Sequence, residues 1–180
     1  LSLPRWPQIG LKMLGVGVLL TGWSAPWVSL APAYARPALL PADAVVAHPL
    51  EVIFGESIEL IGYQDATRGT AAGTASVTLC WAASRSIDRD VAIQLDAIDA
   101  DGEVRGTYLT YPGHGTYPTS QWTADTRFCE TYEVTAHHEA VPITPASIRV
   151  SLLDEITRKP LTAHESSGAA LPTPLEIVIP

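Results

Sequence analysis

A chain of 180 residues has the size of one domain with room for an extension. Its 19 acidic residues outnumber 11 basic ones, giving a formal net charge of −8, and no basic run breaks that balance, so it lacks the electrostatic footprint of a nucleic-acid binder. Lys and Met are scarce, Val, Ile, Thr, Tyr and Trp are frequent, and 15 Pro and 13 Gly punctuate the chain at short intervals, a composition that favours an all-β domain.

The sequence opens on Leu1 rather than Met, so its first residue is not read as a biological start. After Arg5 and Lys12 comes Met13 to Ala31, about nineteen residues without a charge, close to the length that crosses a hydrocarbon core. Residues 1–35 therefore read in two ways. As a signal peptide, Arg5 and Lys12 are its positive region, Met13 to Trp23 its apolar region and Ala33-Tyr34-Ala35 its cleavage site. As a last transmembrane helix, Trp23 and Trp27 are interfacial anchors and the Lys12 side is cytoplasmic. Either reading puts everything after Arg36 outside the cytoplasm, attached to the membrane through residues 13–31 or, if they are cleaved, periplasmic or secreted. Residues 36–49 are Pro-rich and aperiodic, as expected of a linker.

From Leu50 onward, eight segments alternate with a two-residue period between turn residues. They are LEVIF, SIELIGY, ASVTLCWAAS, VAIQLDAID, EVRGTYLTY, FCETYEVTA, SIRVSLLD and LEIVIP. Their spacing predicts an antiparallel two-sheet β-sandwich over 50–180, immunoglobulin-like or jelly-roll-like, preceded by one hydrophobic helix. Val77, Leu79 and Trp81 share the expected core face of the third segment, with Thr78, Cys80 and Ala82 on the other. Asp101-Gly102 between two alternating runs signals a hairpin.

Cys80 and Cys129 sit in two such segments and form a disulfide if the fold brings them together. The immunoglobulin pattern of Cys, Trp and Cys does not transfer, because Trp81 directly follows Cys80 and so points to the opposite face.

Chemistry is sparse. There is no G-x-S-x-G elbow, no phosphate-cradling Gly loop and no H-E-x-x-H. His137-His138-Glu139 could offer metal ligands, but neighbours on an extended segment point opposite ways, so a solvated loop is the better reading. The run from Asp99 to Glu103 opens like a calcium loop without its later acidic ligand, so it reads as a turn. No metal and no cofactor are implied.

The stretch TYPGHGTYPTSQW, Thr110 to Trp122, concentrates rings. Tyr111, His114, Tyr117 and Trp122 are the candidate glycan-contacting residues, since flat rings cover apolar sugar faces. In the competing reading Tyr117 and Trp122 close one end of the core, with Pro112 and Pro118 stiffening a crossover. A third reading pairs His114 with Asp125 or Glu130 as a hydrolytic centre.

Several segments then fall in one order: FGESIELIGYQ, VTLCWAAS, VAIQLDAIDADGEV, PGHGTYPTSQW, CETYEV and VSLLDEITRKPL. Over Phe54 to Leu161 this series resembles the extracytoplasmic C-terminal β-sandwich domain of bacterial membrane glycosyltransferases of the protein-mannosyltransferase-like, polyprenyl-phosphate-sugar-dependent type. The most specific piece is G-x-Y-P-T-S-x-W; Glu130 stands where the family tends to have Asp, and Leu153 where it tends to have Tyr. The resemblance implies transfer chemistry in an upstream multi-helix region, so no catalytic residue carries over to this chain. The expected function is a non-catalytic accessory domain whose partners are glycan or that upstream membrane region. The alternative is a separately exported periplasmic or cell-surface carbohydrate-binding module.

Overall fold

Two-residue alternation becomes, in the computed structural model, a set of antiparallel strands that each bury one face. The structure describes residues 35–172 and 174–179; the hydrophobic segment Met13 to Ala31 lies outside them. The strands are β1 (His48–Phe54), β2 (Ile58–Arg68), β3 (Thr74–Ala83), β4 (Val91–Ile98), β5 (Val104–Thr110), β6 (Arg127–Thr135), β7 (His137–His138), β8 (Val141–Pro142), β9 (Ser147–Asp154), β10 (Ala163–Glu165) and β11 (Leu175–Val178). All eight expected segments are strands; the short β7, β8 and β10 are additional.

One sheet has the order β10-β1-β2-β3-β6, a second β11-β9-β4-β5, and β7 with β8 forms a separate two-stranded hairpin. Every pairing is antiparallel. The two larger sheets face each other across one core. Val77, Leu79 and Trp81 from β3, with Phe128 and Tyr132 from β6, meet Ile93 and Leu95 from β4 and Ile148 and Val150 from β9. The expected core face of β3 is the one observed. Each such side chain contributes about 1.5–3 kcal/mol on burial, and these contributions offset the entropy of ordering the strands.

The loop at Asp99 is a turn, as expected. Its Oδ1 accepts the backbone N–H groups of Asp101 and Glu103, each at 2.9 Å, while Gly102 takes a positive φ of 85°. The Arg105 guanidinium bound at Oδ2 holds the Asp99 carboxyl below its ordinary value. Likewise His137-His138 is a strand of a two-residue hairpin, turned by Glu139 and Ala140 at positive φ. His138 Nδ1 lies 3.0 Å from Arg105 Nη1. Among the described residues no group of three or more His, Cys, Asp or Glu is placed to hold a metal.

Cys80 and Cys129 are directly opposite on β3 and β6 and are joined by a disulfide. It lies within one sheet, on the face turned away from the core, which separates it from the immunoglobulin arrangement that ties two sheets together.

Residues 37–47, within the Pro-rich linker expected over 36–49, form a strap bound to this sheet. Leu39 bridges Phe128, Leu40 donates its N–H to the Arg127 carbonyl at 2.7 Å, and Arg127 Nη1 reaches the Ala42 carbonyl at 2.6 Å. The chain then crosses to β2, where Gln64 both accepts from the Ala47 N–H and donates to the Val45 carbonyl. Gly62, the register partner of Cys80, makes the crossing possible. A Cβ there would overlap the His48 carbonyl oxygen and come within 2.6 Å of Val46 Cγ1. Val46 thus fills the space beside Cys80, which is fully buried although it is no part of the core.

Candidate functional site

The stretch that carries most of the sequence signal connects β5 of one sheet to β6 of the other. Its first turn, Pro112–Gly115, holds three consecutive residues at positive φ: Gly113 at 67°, His114 at 47° and Gly115 at 90°. Glycine adopts this region freely, whereas His114 is strained there, so tertiary contacts must hold it.

Glu130 is the central contact. On β6 the alternating residues Phe128, Glu130, Tyr132 and Val134 are all buried, so the Glu130 carboxylate sits on the core-facing side of an edge strand, 7% exposed. Its Oε2 accepts the Gly113 N–H at 2.9 Å and the Tyr132 hydroxyl at 2.6 Å. Its Oε1 faces His114 Nε2 at 3.4 Å. The other imidazole nitrogen, Nδ1, lies 3.5 Å from the hydroxyl of Tyr108 on β5, and the ring packs edge-on against Tyr132 with centroids 5.6 Å apart. His114 therefore spans the seam between the sheets, with a tyrosine on one side and a carboxylate on the other.

This placement has an electrostatic consequence. Burial first, then the negative charge of Glu130, pushes the Tyr132 phenol well above its ordinary value. The buried indole N–H of Trp81 acts in the opposite direction.

The remaining candidates divide. Tyr117 and Trp122 are core residues: the indole packs perpendicular to Phe128 at 5.2 Å and donates its N–H to the Tyr117 carbonyl at 3.1 Å. Their rings offer no face to a sugar, which corrects the expectation that they contact glycan. Tyr111 and His114 remain accessible. Tyr111 is half-buried and donates to Glu155 Oε1 at 3.1 Å; burial and that carboxylate raise its pKa.

Of the hydrolytic grouping, the fold brings His114 to Glu130 but leaves Asp125 on an exposed turn apart from both. A general base needs a free nitrogen aimed at a nucleophile. Here the Tyr108 hydroxyl stands at that nitrogen, and the carboxylate is committed to a backbone N–H and a phenol. The cluster is chemically a brace. The alternation of FCETYEV already put Glu130 in register with Phe128 and Tyr132; Tyr108 carried no such signal, because its partner arrives from the crossover.

The chain matches no family model and no curated protein.

Proposed function

We propose that this domain is a non-catalytic extracytoplasmic accessory domain of a polyprenyl-phosphate-sugar-dependent membrane glycosyltransferase, following the last membrane helix and contacting glycan or acceptor beside the membrane. One observation carries the reading. The residues of the resembling patterns are those that hold the crossover: Tyr117, Thr119 and Trp122 are buried, and Tyr132 clamps its first turn together with Glu130, a carboxylate where the family tends to have the shorter Asp. A pattern that specifies this crossover specifies a fold, so the resemblance speaks for a shared domain type rather than a shared reaction. The disulfide supports an oxidising compartment. Tyr111 and His114 are the accessible members of the candidate surface.

The competing reading, a separately exported carbohydrate-binding module, is favoured by the strap. With residues 37–47 bound to the sheet, the sandwich carries its own amino-terminal closure. The genomic frame upstream of Leu1 separates the two. Further apolar spans in frame are expected for the transferase; a start codon just before Leu1 would replace that reading with the exported module.

A further inference from the structure

The end of the sandwich that holds the crossover also holds a second feature, made by residues that carried no motif. The β1–β2 turn and the β3–β4 loop border an open cavity of about 500 Å³ lined by Glu56, Ser57, Arg85, Ser86, Ile87, Asp88 and Arg89. That volume is within the range of small-molecule sites.

Its walls define what fits. Ile87 is the one apolar residue, and it is buried in the core cluster, so the cavity has no greasy floor for a lipid chain or a flat aromatic ligand. Its two guanidinium groups are already matched: Arg85 pairs with Glu56, and Arg89 with Asp154 at 3.5 Å. Each guanidinium keeps further N–H donors, but two arginines facing Glu56, Asp88 and Asp154 leave no net positive charge to draw an anion. What remains is a lining of mixed acceptors and donors: the Asp88 carboxylate, which makes no ion pair or hydrogen bond among the described residues, the Ser86 and Ser57 hydroxyls and the two guanidiniums. Adjacent hydroxyls of a polyol use such a lining in both directions, donating to the carboxylate and accepting from the cation.

The cavity is also shaped in advance. The Ser84 N–H donates to the Ser57 carbonyl at 3.1 Å, tying the two loops together. The buried Thr119 hydroxyl donates to the Arg89 carbonyl at 2.7 Å and accepts the Val91 N–H at 3.0 Å. The Ser120 N–H is held by Asp90 Oδ1 at 2.9 Å. A loop fixed in this way loses little entropy when a ligand arrives. The same crossover leads to the Tyr111 side, since Tyr111 binds Glu155, whose N–H donates to the Asp90 carbonyl.

We propose that this cavity is a binding subsite for a neutral, polyhydroxylated ligand, a saccharide unit, with Asp88, Ser86 and Arg89 as its contacts. The inference rests on the carbohydrate reading above for the class of ligand and on the cavity for its place. The test is an array of neutral and anionic oligosaccharides probed with the full chain, followed by calorimetric titration of the hits against Asp88→Ala, Ser86→Ala, Tyr111→Phe and His114→Ala. Asp88 and Ser86 are exposed and support no part of the fold, so their variants should keep the parent melting temperature. Binding of neutral glycans, weakened about tenfold or more by Asp88→Ala through loss of a charge-assisted hydrogen bond, is the expected result. Binding that survives Asp88→Ala and Ser86→Ala but is lost in the Tyr111 or His114 variants would overturn this site and keep the carbohydrate reading. Binding of anionic glycans alone would overturn the neutral class. No binding by the parent chain would overturn the subsite and the carbohydrate reading together.

Discussion

The crossover of residues 111–126 and the strap of residues 37–47 are both irregular and both contain proline, yet they are held in opposite ways. The crossover is fixed by what its side chains bury: Tyr117, Thr119 and Trp122 enter the core, and a buried carboxylate grips its first turn. The strap buries no large ring. It is fixed by bonds to its main chain from the Arg127 carbonyl and guanidinium on β6 and from the Gln64 side chain on β2, and by the missing side chain of Gly62. Irregular backbone can thus be specified by residues it contains or by a residue it passes over, and only the first kind announces itself in its own sequence.

The contrast breaks most sharply at Trp122. Replacing it with Ala removes a ring that packs on both Tyr117 and Phe128, and should cost about 3–5 kcal/mol in chemical denaturation, with the crossover loosened. At the strap the corresponding change is Gly62→Ala. Its Cβ overlaps backbone, and the glycine φ of 146° disfavours any side chain, so a loss of about 1–3 kcal/mol is expected. The signature that sets it apart is faster reduction of the disulfide by dithiothreitol, followed by thiol labelling; an unchanged reduction rate would mean that the strap does not shield Cys80.

Glu130→Gln tests the brace. The amide keeps the shape, and its one oxygen in the Oε2 place still accepts the Gly113 N–H and the Tyr132 hydroxyl, but the negative charge that strengthens both bonds is gone. About 1–2 kcal/mol should be lost, and amide exchange at Gly113 should speed up. A variant as stable as the parent would remove the seam from the list of what holds the crossover.

The smallest effect is that of acid. Asp99 is lowered by its bond to Arg105, Asp154 by the Thr157 N–H and hydroxyl, and Glu176 by the Ser147 hydroxyl. Each therefore stays ionised in the folded chain to a lower pH than in the unfolded one. As pH falls the unfolded state takes up protons first, so the stabilisation is complete above the unfolded values and is lost on descent through the folded ones. The melting temperature should be flat between about pH 7 and 5 and fall below about pH 4. Asp99→Asn should blunt that fall slightly.

How much of this could be read from the residues follows from the same physics. Alternation gave the strands and the buried face of β3, because burial on one side of a pleat leaves a direct trace at Val77, Leu79 and Trp81. Of the aromatic stretch, the reading that Tyr117 and Trp122 close the core matches their burial, whereas the ligand reading treated ring content as exposure. Glu130 stood in register with Phe128 and Tyr132, and a charge at that position already called for buried partners. The strap left no trace in its own residues, since what holds it, Gln64, Arg127 and Gly62, lies on β2 and β6. The cysteine pairing depended on the register of β3 against β6, which is set by the intervening strands and not by the spacing of 49.

The two halves of the disulfide meet solvent differently. Cys80 is fully buried, while Cys129 keeps partial exposure. A thiol reductant attacks the sulfur it can reach, so it meets Cys129 first and releases the Cys80 thiolate, and a mixed disulfide trapped during reduction should sit on Cys129.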